Sequence, residues 1–460
     1  MATHGLGSAN EVAELLTKAK GLHNRVLFVL LAFVIYRIGT HIPLPGVDAL
    51  ALTAYQDTLR NGLFGLFNMF SGGALSRMAI FALNIFPYIT ASIIIQLMST
   101  AYPSLAELKK EGEQGRAKLN QYTRYLTLVL AFTQGFGLAV GIENQTVFLG
   151  GEEVRLVADA GLFFRLQTAL TIMTGTMFLM WLGEQINSRG IGNGISLLIF
   201  AGIVAEMPTI VMQVTELART GALSGFFVLA LLIGVLAAIY FITFVETAQR
   251  RVAVQYPKRQ GTANQAMPDN NHLPLKVNMA GVIPAIFASA LLMVPVTFAS
   301  FSPEAQWAQF VGAWFSPGQP AYLALFVFLI VFFCFFYTAT VAFNPEETAD
   351  NLKKSGGFIP GIRPGAATAT YLDGVVTRLT TIGAAYMAFI CAVPDLLHAD
   401  QTLPFYIGGT SLLILVSVTI DTVARIQSAL IAQRYEGLLQ KTALRTSTRS
   451  QNNKKKTRRK

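Results

Sequence analysis

Long apolar runs separated by short polar stretches dominate the chain. A helix rises about 1.5 Å per residue, so crossing a hydrocarbon core of about 30 Å takes about 20 residues. Ten runs meet that length: 25–43, 77–98, 122–141, 162–183, 193–214, 225–245, 277–299, 321–343, 375–394 and 405–424. The first carries Arg37, and the fifth is interrupted by Glu206 and Pro208, which makes it the weakest by hydropathy. A further apolar piece, Leu63–Ala74, is too short to span and is broken by Gly72-Gly73 before Leu75. Such a piece reads as re-entrant or interfacial. The expected fold class is an all-α integral membrane protein with ten transmembrane helices.

Composition agrees with the bilayer as solvent. Hydrophobic residues make up 53% of the 460, charged residues only 13%, and mean hydropathy is +0.50. Soluble domains carry about a quarter charged residues. The net charge of +10 is unevenly spread and orients the chain. Lys and Arg gather before the first run (Lys18, Lys20, Arg25) and between the second and third (Lys109, Lys110, Arg116, Lys118, with Arg124 at the edge). They recur between the sixth and seventh (Arg250, Arg251, Lys258, Arg259, Lys276) and between the eighth and ninth (Lys353, Lys354, Arg363, Arg378). After the tenth comes Arg434, then nine more in the last twenty residues. The alternate connections hold only Arg60, Arg155 and Arg219, singly. Short loops rich in Lys and Arg stay in the cytoplasm. Ten spans with both termini inside satisfy every loop. Further spans follow the first apolar segment, so it reads as a retained helix and not a cleaved leader.

Catalytic chemistry is hard to assemble from the remaining residues. Cys334 and Cys391, the only cysteines, lie in apolar stretches, which excludes a disulfide framework or a cysteine zinc site. The histidines (His4, His23, His41, His272, His398) never pair at i, i+4. Gly190, Gly192 and Gly194 mimic a nucleotide loop, but no strand precedes them, so a tight turn between spans is the better reading. No phosphate-binding loop is present to hydrolyse ATP. No catalytic residue, cofactor or metal is expected. A secondary transporter is the second reading, and it needs ionisable residues within spans. Arg37, Glu206 and the Asp421/Arg425 pair sit near predicted ends, where snorkelling or an i, i+4 ion pair accounts for them. A purely apolar constriction, by contrast, blocks ions by refusing to hydrate.

Several stretches resemble the SecY family, the channel-forming subunits of the bacterial Sec protein translocase, in that family's order from about residue 22 to 435. They are LFGLFNMFSGGALSR (Leu63–Arg77), PYITASIIIQL (Pro87–Leu97), KKEGEQGRAKLNQYTRY (Lys109–Tyr125) and WLGEQINSRGIGNGISLLIFAGIV (Trp181–Val204). HLPLKVNMAGVIPAIFAS (His272–Ser289), NPEETADNLKKSGGFIPGIRPG (Asn344–Gly365) and PFYIGGTSLLI (Pro404–Ile414) complete the set. The resemblance implies a protein-conducting channel at the bacterial inner membrane, opening across the membrane for secreted chains and sideways for transmembrane segments. It implies SecE and SecG as subunits, SecA ATPase or the ribosome with its nascent chain as feeders, and signal sequences as ligands. SecDF, YidC and anionic lipids are further implied partners. The implied fold is two pseudo-symmetric five-helix halves, 25–214 and 225–430, between a cytoplasmic N-terminus (1–24) and a basic tail (431–460).

Site residues follow from the same resemblance. Ile85 and Ile89, and likewise Ile195 and Ile199, are i, i+4 and so share a helix face. With Ile286 and Ile414 they would form the pore ring. Phe64, Phe67, Asn68, Met69, Phe70, Ser71, Gly72 and Gly73 would belong to the plug closing the channel from outside. Thr90, Gln134 and Asn278 would mark the lateral gate between the second and seventh spans, through interhelical hydrogen bonds of roughly 0.6–2 kcal/mol. Gly281 and Pro284 are expected to kink the seventh span. Arg250, Arg251, Lys258, Arg259, Lys276 and Arg363 would dock SecA or the ribosome, Arg being suited to bidentate contact with carboxylates or phosphates. Two features depart from the family: Gly261–Asn271 lacks an additional basic pair, and the basic tail is longer. Attraction of the tail to anionic lipid is worth about 1 kcal/mol per basic residue, and disorder is its simplest reading.

Overall fold

The computed structural model describes residues 20–48, 50–52, 68–143, 145–149, 152–157, 159–221, 223–256, 272–299, 305–314, 319–399 and 408–432. The N-terminus, Phe64, Phe67, Lys258, Arg259 and the basic tail lie outside the described residues. The chain opens with α1 (Lys20–Gly39), α2 (Phe86–Ala101), α3 (Pro103–Lys110) and α4 (Glu113–Glu143). A hairpin of β1 (Thr146–Leu149) and β2 (Glu152–Arg155) leads to α5 (Leu162–Arg189), α6 (Gly194–Arg219) and α7 (Gly225–Thr247). A second hairpin, β3 (Gln249–Ala253) and β4 (His272–Lys276), precedes α8 (Ile283–Ala299) and α9 (Gln306–Trp314). Then come α10 (Pro320–Tyr337) with a π-turn at Thr338–Ala342, α11 (Pro345–Lys354), α12 (Ala366–Ala399) and α13 (Gly409–Ala432). Helix starts are marked locally. Proline stands in the first turn of α2, α3, α10 and α11, where its missing N–H is not needed. The Asn193, Ser224 and Asn344 side chains cap α6, α7 and α11.

Every one of the ten predicted runs carries a helix. Among the described residues, eight helices are long and apolar enough to cross a membrane, or nine if α2 and α3, which meet at 99°, form one span. The weakest prediction holds: α6 runs unbroken for 26 residues through Glu206 and Pro208. Two predictions need correction. The second run is helical only from Phe86, and the seventh only from Ile283. In the seventh, Gly281 takes φ +62° and Pro284 stands in the first helical turn, so this pair starts the helix instead of kinking it.

The shortening of the second run has a packing cause. Residues 71–85 form successive turns, with Met78 and Asn84 at φ +43° and +48°. This irregular strap is threaded between α1 and α5. A Cβ at Gly39 would overlap the Phe81 ring, and one at Gly175 would overlap the Ile80 carbonyl. Non-helical backbone at membrane depth survives only where protein satisfies it. Here Leu44 N–H donates to the Met78 carbonyl (2.7 Å) and Ile80 N–H to the Ile42 carbonyl (3.0 Å). Ala74, Leu75, Met78, Ala79 and Ala82 are fully or almost fully buried.

One large apolar core joins α1, the strap, α2, α4, α5, α6, α8, α10, α12 and α13. A smaller one sits under the loops between α7 and α12 and holds Val252, Val254, Leu275, Leu352, Ile359, Leu372 and Leu379. The close passage of the strap predicts that Gly175→Ala destabilises the protein by about 1–3 kcal/mol through overpacking. Gly374→Ala, on α12 with open space around it, should be neutral or slightly stabilising. Thermal unfolding of both variants in detergent checks the contrast.

Candidate functional site

The strap and the residues before it form the centre of the site. Asn68–Phe70 are helical, and turns follow with Gly72 and Gly73 at φ +65° and +78°, a region glycine enters freely. Asn68 organises the segment: its Oδ1 accepts from Ser76 N–H (2.8 Å), and its carbonyl accepts from Gly73 N–H (2.8 Å) and Ser71 Oγ (3.1 Å). Outside groups then hold its main chain. Asn84 Nδ2 donates to the Phe70 carbonyl (2.7 Å), and Tyr36 Oη to the Ser71 carbonyl (3.0 Å). Arg37 Nη1 (3.0 Å) and Arg77 Nη2 (2.6 Å) both donate to the Gly72 carbonyl. Arg77 Nε also donates to the Thr40 carbonyl (3.0 Å). The segment lies against α6, where a Cβ at Gly202 would collide with the Phe70 carbonyl. A Cβ at Gly73 would lie 2.8 Å from Arg77 Nη1 and 2.9 Å from Glu206 Oε2. Phe70 meets Phe86 edge-on at 5.5 Å, and Ser411 Oγ on α13 donates to Met69 Sδ (3.2 Å).

These contacts correct the expectation for two charged residues. Arg37 and Glu206 are not accounted for by proximity to a helix end; both converge on Gly72-Gly73. Asp421 and Arg425 do form the expected i, i+4 ion pair, at 2.8 Å.

Ile85, Ile89, Ile199, Ile286 and Ile414 are all buried members of the large core, to which Met69, Phe70, Ala74 and Leu75 also belong. They arrive from α2, α6, α8 and α13. Ile85 is the N-cap of α2, and Ile89 N–H donates to its carbonyl (3.1 Å), so the pair shares a face as expected. Ile195 is set apart: only partly buried, it packs at the margin, its Cγ1 3.4 Å from where a Gly183 Cβ would stand.

Thr90 and Gln134 are buried on α2 and α4 as expected, whereas Asn278, also buried, precedes α8 in the non-helical start of the seventh run; among the described residues no hydrogen bond joins the three. Thr90 Oγ1 donates to the Phe86 carbonyl of its own helix (3.1 Å). Asn278 Nδ2 donates to Glu246 Oε1 at the end of α7 (2.8 Å) and to the Gly281 carbonyl (3.1 Å). α2 and α4 both touch α8 directly. Near the basic loops, Lys109 Nζ on α3 donates to the Thr340 carbonyl in the π-turn after α10 (2.9 Å). Arg124 pairs with Glu184 between α4 and α5 (2.7 Å).

The basic loops form a second surface. In the β3–β4 register Gln249 faces Lys276 and Arg250 faces Leu275. Arg251 and Lys276 therefore share the face opposite Val252 and Leu275, which enter the small core. Arg250, Arg251, Lys276 and Arg363 are all exposed. Arg363 stands between Gly361 (φ +82°) and Gly365 (φ +109°), and its carbonyl accepts from Thr368 Oγ1 (2.9 Å). The turn is anchored by paired hydrogen bonds between Gln255 and Phe358 (2.8 and 2.9 Å) and by buried Ile359. Among the described residues no group of three or more His, Cys, Asp or Glu could hold a metal ion.

Similarity to known proteins bears on the whole arrangement. The family model described as SecY matches residues 79–423. The protein translocase subunit SecY of Escherichia coli (strain K12) is 51% identical over 427 residues, 92% of this chain and 95% of that protein. That of Vibrio cholerae serotype O1 is 50% identical over 430 residues, again 92% of this chain and 95% of the relative. Among solved structures, one described as a protein conducting channel superposes with a TM-score of 0.65 at 17% identity, covering 88% of this chain and 92% of that one. That likeness shows the fold. Together these matches place the chain, a multi-pass membrane protein, in the SecY family.

Proposed function

We propose that the chain is the protein-conducting channel of a bacterial inner-membrane translocase, passing unfolded preproteins across and releasing transmembrane segments sideways. One observation carries the reading: buried isoleucines from α2, α6, α8 and α13 all belong to the large apolar core that the 68–75 segment also enters. A constriction walled by alkyl groups excludes ions by staying dry, and it grips a passing chain of any sequence without hydrogen-bonding it. The 68–75 segment is then the plug, and the halves 25–214 and 225–430 part between α2 and α8. A midplane solute site finds no support, because Arg37 and Glu206 are engaged at the plug.

With no phosphate-binding loop of its own, the channel draws its driving force from SecA, the ribosome or the membrane potential, and it works with SecE and SecG. Arg250, Arg251, Lys276 and Arg363 form the surface that receives the feeder. The excess of Lys and Arg puts that surface and both termini in the cytoplasm.

Three outcomes test this. Replacing a ring residue with a polar one, Ile89→Ser or Ile286→Asn, should ease wetting and raise resting ion conductance several-fold in planar bilayers, with export retained. A solute transporter would instead lose uptake and leak little. Unchanged conductance, including in a plug-deleted background, would count against the seal. Arg363→Glu should abolish SecA-driven translocation into vesicles while protein level and SecE association stay normal. A variant that fails to accumulate would make Arg363 structural instead. Cysteines at Ala305 and Ala399 should react with an impermeant thiol reagent from outside, and one at Ser355 only after lysis. External labelling at Ser355 would overturn the topology.

A further inference from the structure

Three consecutive carbonyls of the plug segment, those of Phe70, Ser71 and Gly72, are each taken by a side chain from outside it. Asn84 holds the first, Tyr36 the second, and Arg37 and Arg77 together hold the third. A carbonyl oxygen offers two lone pairs, so the two guanidinium groups saturate the Gly72 carbonyl. Both bonds are charge-assisted, the stronger kind. Arg77 is itself fixed, through Nε, to the Thr40 carbonyl just beyond α1. Glu206 Oε2 also lies close to Gly73: a Cβ there would come within 2.9 Å of both Glu206 Oε2 and the Arg77 guanidinium, so no side chain fits at that position. The carboxylate offsets the repulsion of two cations gathered at one atom. Tyr36, Asn84 and Glu206 are buried, and among such groups an unmade hydrogen bond is expensive.

We propose that Tyr36, Arg37, Arg77 and Asn84 form a clasp whose strength sets how often the plug leaves the closed channel. These are positioning residues: they touch the plug and not the passing chain. The inference rests on the channel reading above and names what holds its resting state. Displacing the plug breaks all four bonds together, so removing one strong member shifts the balance toward the displaced state.

Arg37→Met removes one charged donor while keeping an unbranched apolar side chain. Loss of a hydrogen bond to a charged group corresponds to about a ten- to hundred-fold larger displaced population. Two readings report it. Resting conductance in planar bilayers should rise, and a cysteine pair at Met69 and Ser411, whose side chains touch at 3.2 Å, should cross-link more slowly. Arg37→Lys, which retains a cationic donor, should restore part of both readings. A channel lacking residues 68–74 separates the inference from the reading it rests on. If that channel does not conduct, the channel reading fails. If it conducts, yet Arg37→Met in the intact chain matches wild type in both readings, the clasp is overturned. The clasp is overturned equally if Arg37→Met raises conductance as much without the plug as with it. Should Arg37→Met fail to accumulate, Gly73→Ala, which forces a Cβ against both Arg77 and Glu206, takes its place. Conductance and cross-linking unchanged in that variant overturn the proposal.

Discussion

A backbone that leaves the helix inside a membrane must find every hydrogen-bond partner within the protein, and residues 68–85 meet that demand partly with their own side chains and partly with those of α1. Asn84, Tyr36, Arg37 and Arg77 supply donors to successive carbonyls, while Ile42 and Leu44 pair with the far end of the strap. Much else follows from this one solution. α2 begins only at Phe86 and spans 16 residues, so Ile85 and Ile89 sit at its very start, next to Phe86, which meets Phe70. Pro103 then begins α3 at 99° to α2, and α3 carries Lys109 to the π-turn that ends α10. A strap that had stayed helical would have put none of these groups where they are.

Close backbone approach is the second element of the design. Helices in a bilayer gain little from the hydrophobic effect between them, so contact relies on small residues and on packing. Gly202 lets the backbone at Phe70 rest on α6, and Gly39 and Gly175 let the strap pass between α1 and α5. The extramembrane side follows soluble-protein rules instead. There a two-stranded hairpin alternates Val252 and Leu275 inward with Arg251 and Lys276 outward over a small core of its own.

Hydropathy and charge made the helices legible because bilayer thickness is a length that a sequence can be measured against. Each of the ten runs carries a helix over at least part of its length, and even the interrupted fifth formed one long helix. Hydropathy could not separate a buried strap from a buried helix, since Met78, Ala79 and Ala82 are apolar in either role; hence the misplaced start of the second run. The charged residues near span ends were the larger omission. Arg37 donates to the Gly72 carbonyl and Glu206 lies close to Gly73, both far along the chain, and no local spacing encodes such proximity. The double glycine was a visible clue, because a Cβ at Gly72 would press on the Gly202 backbone of α6 and one at Gly73 on Arg77 and Glu206. Asn278 was misread for a similar reason: its acceptor, Glu246, stands 32 residues earlier and reaches it only through the fold.

The hydrogen bonds that reach Phe70, Ser71 and Gly72 from outside the 68–75 segment fall on carbonyl oxygens, which every amino acid possesses. Over evolutionary time such a segment can drift in composition, provided Gly72-Gly73 and the residues outside it that hold it persist. Mutational tolerance should therefore be inverted relative to ordinary expectation. Residues held only through their carbonyls are free to vary, and selection bears instead on the groups around them.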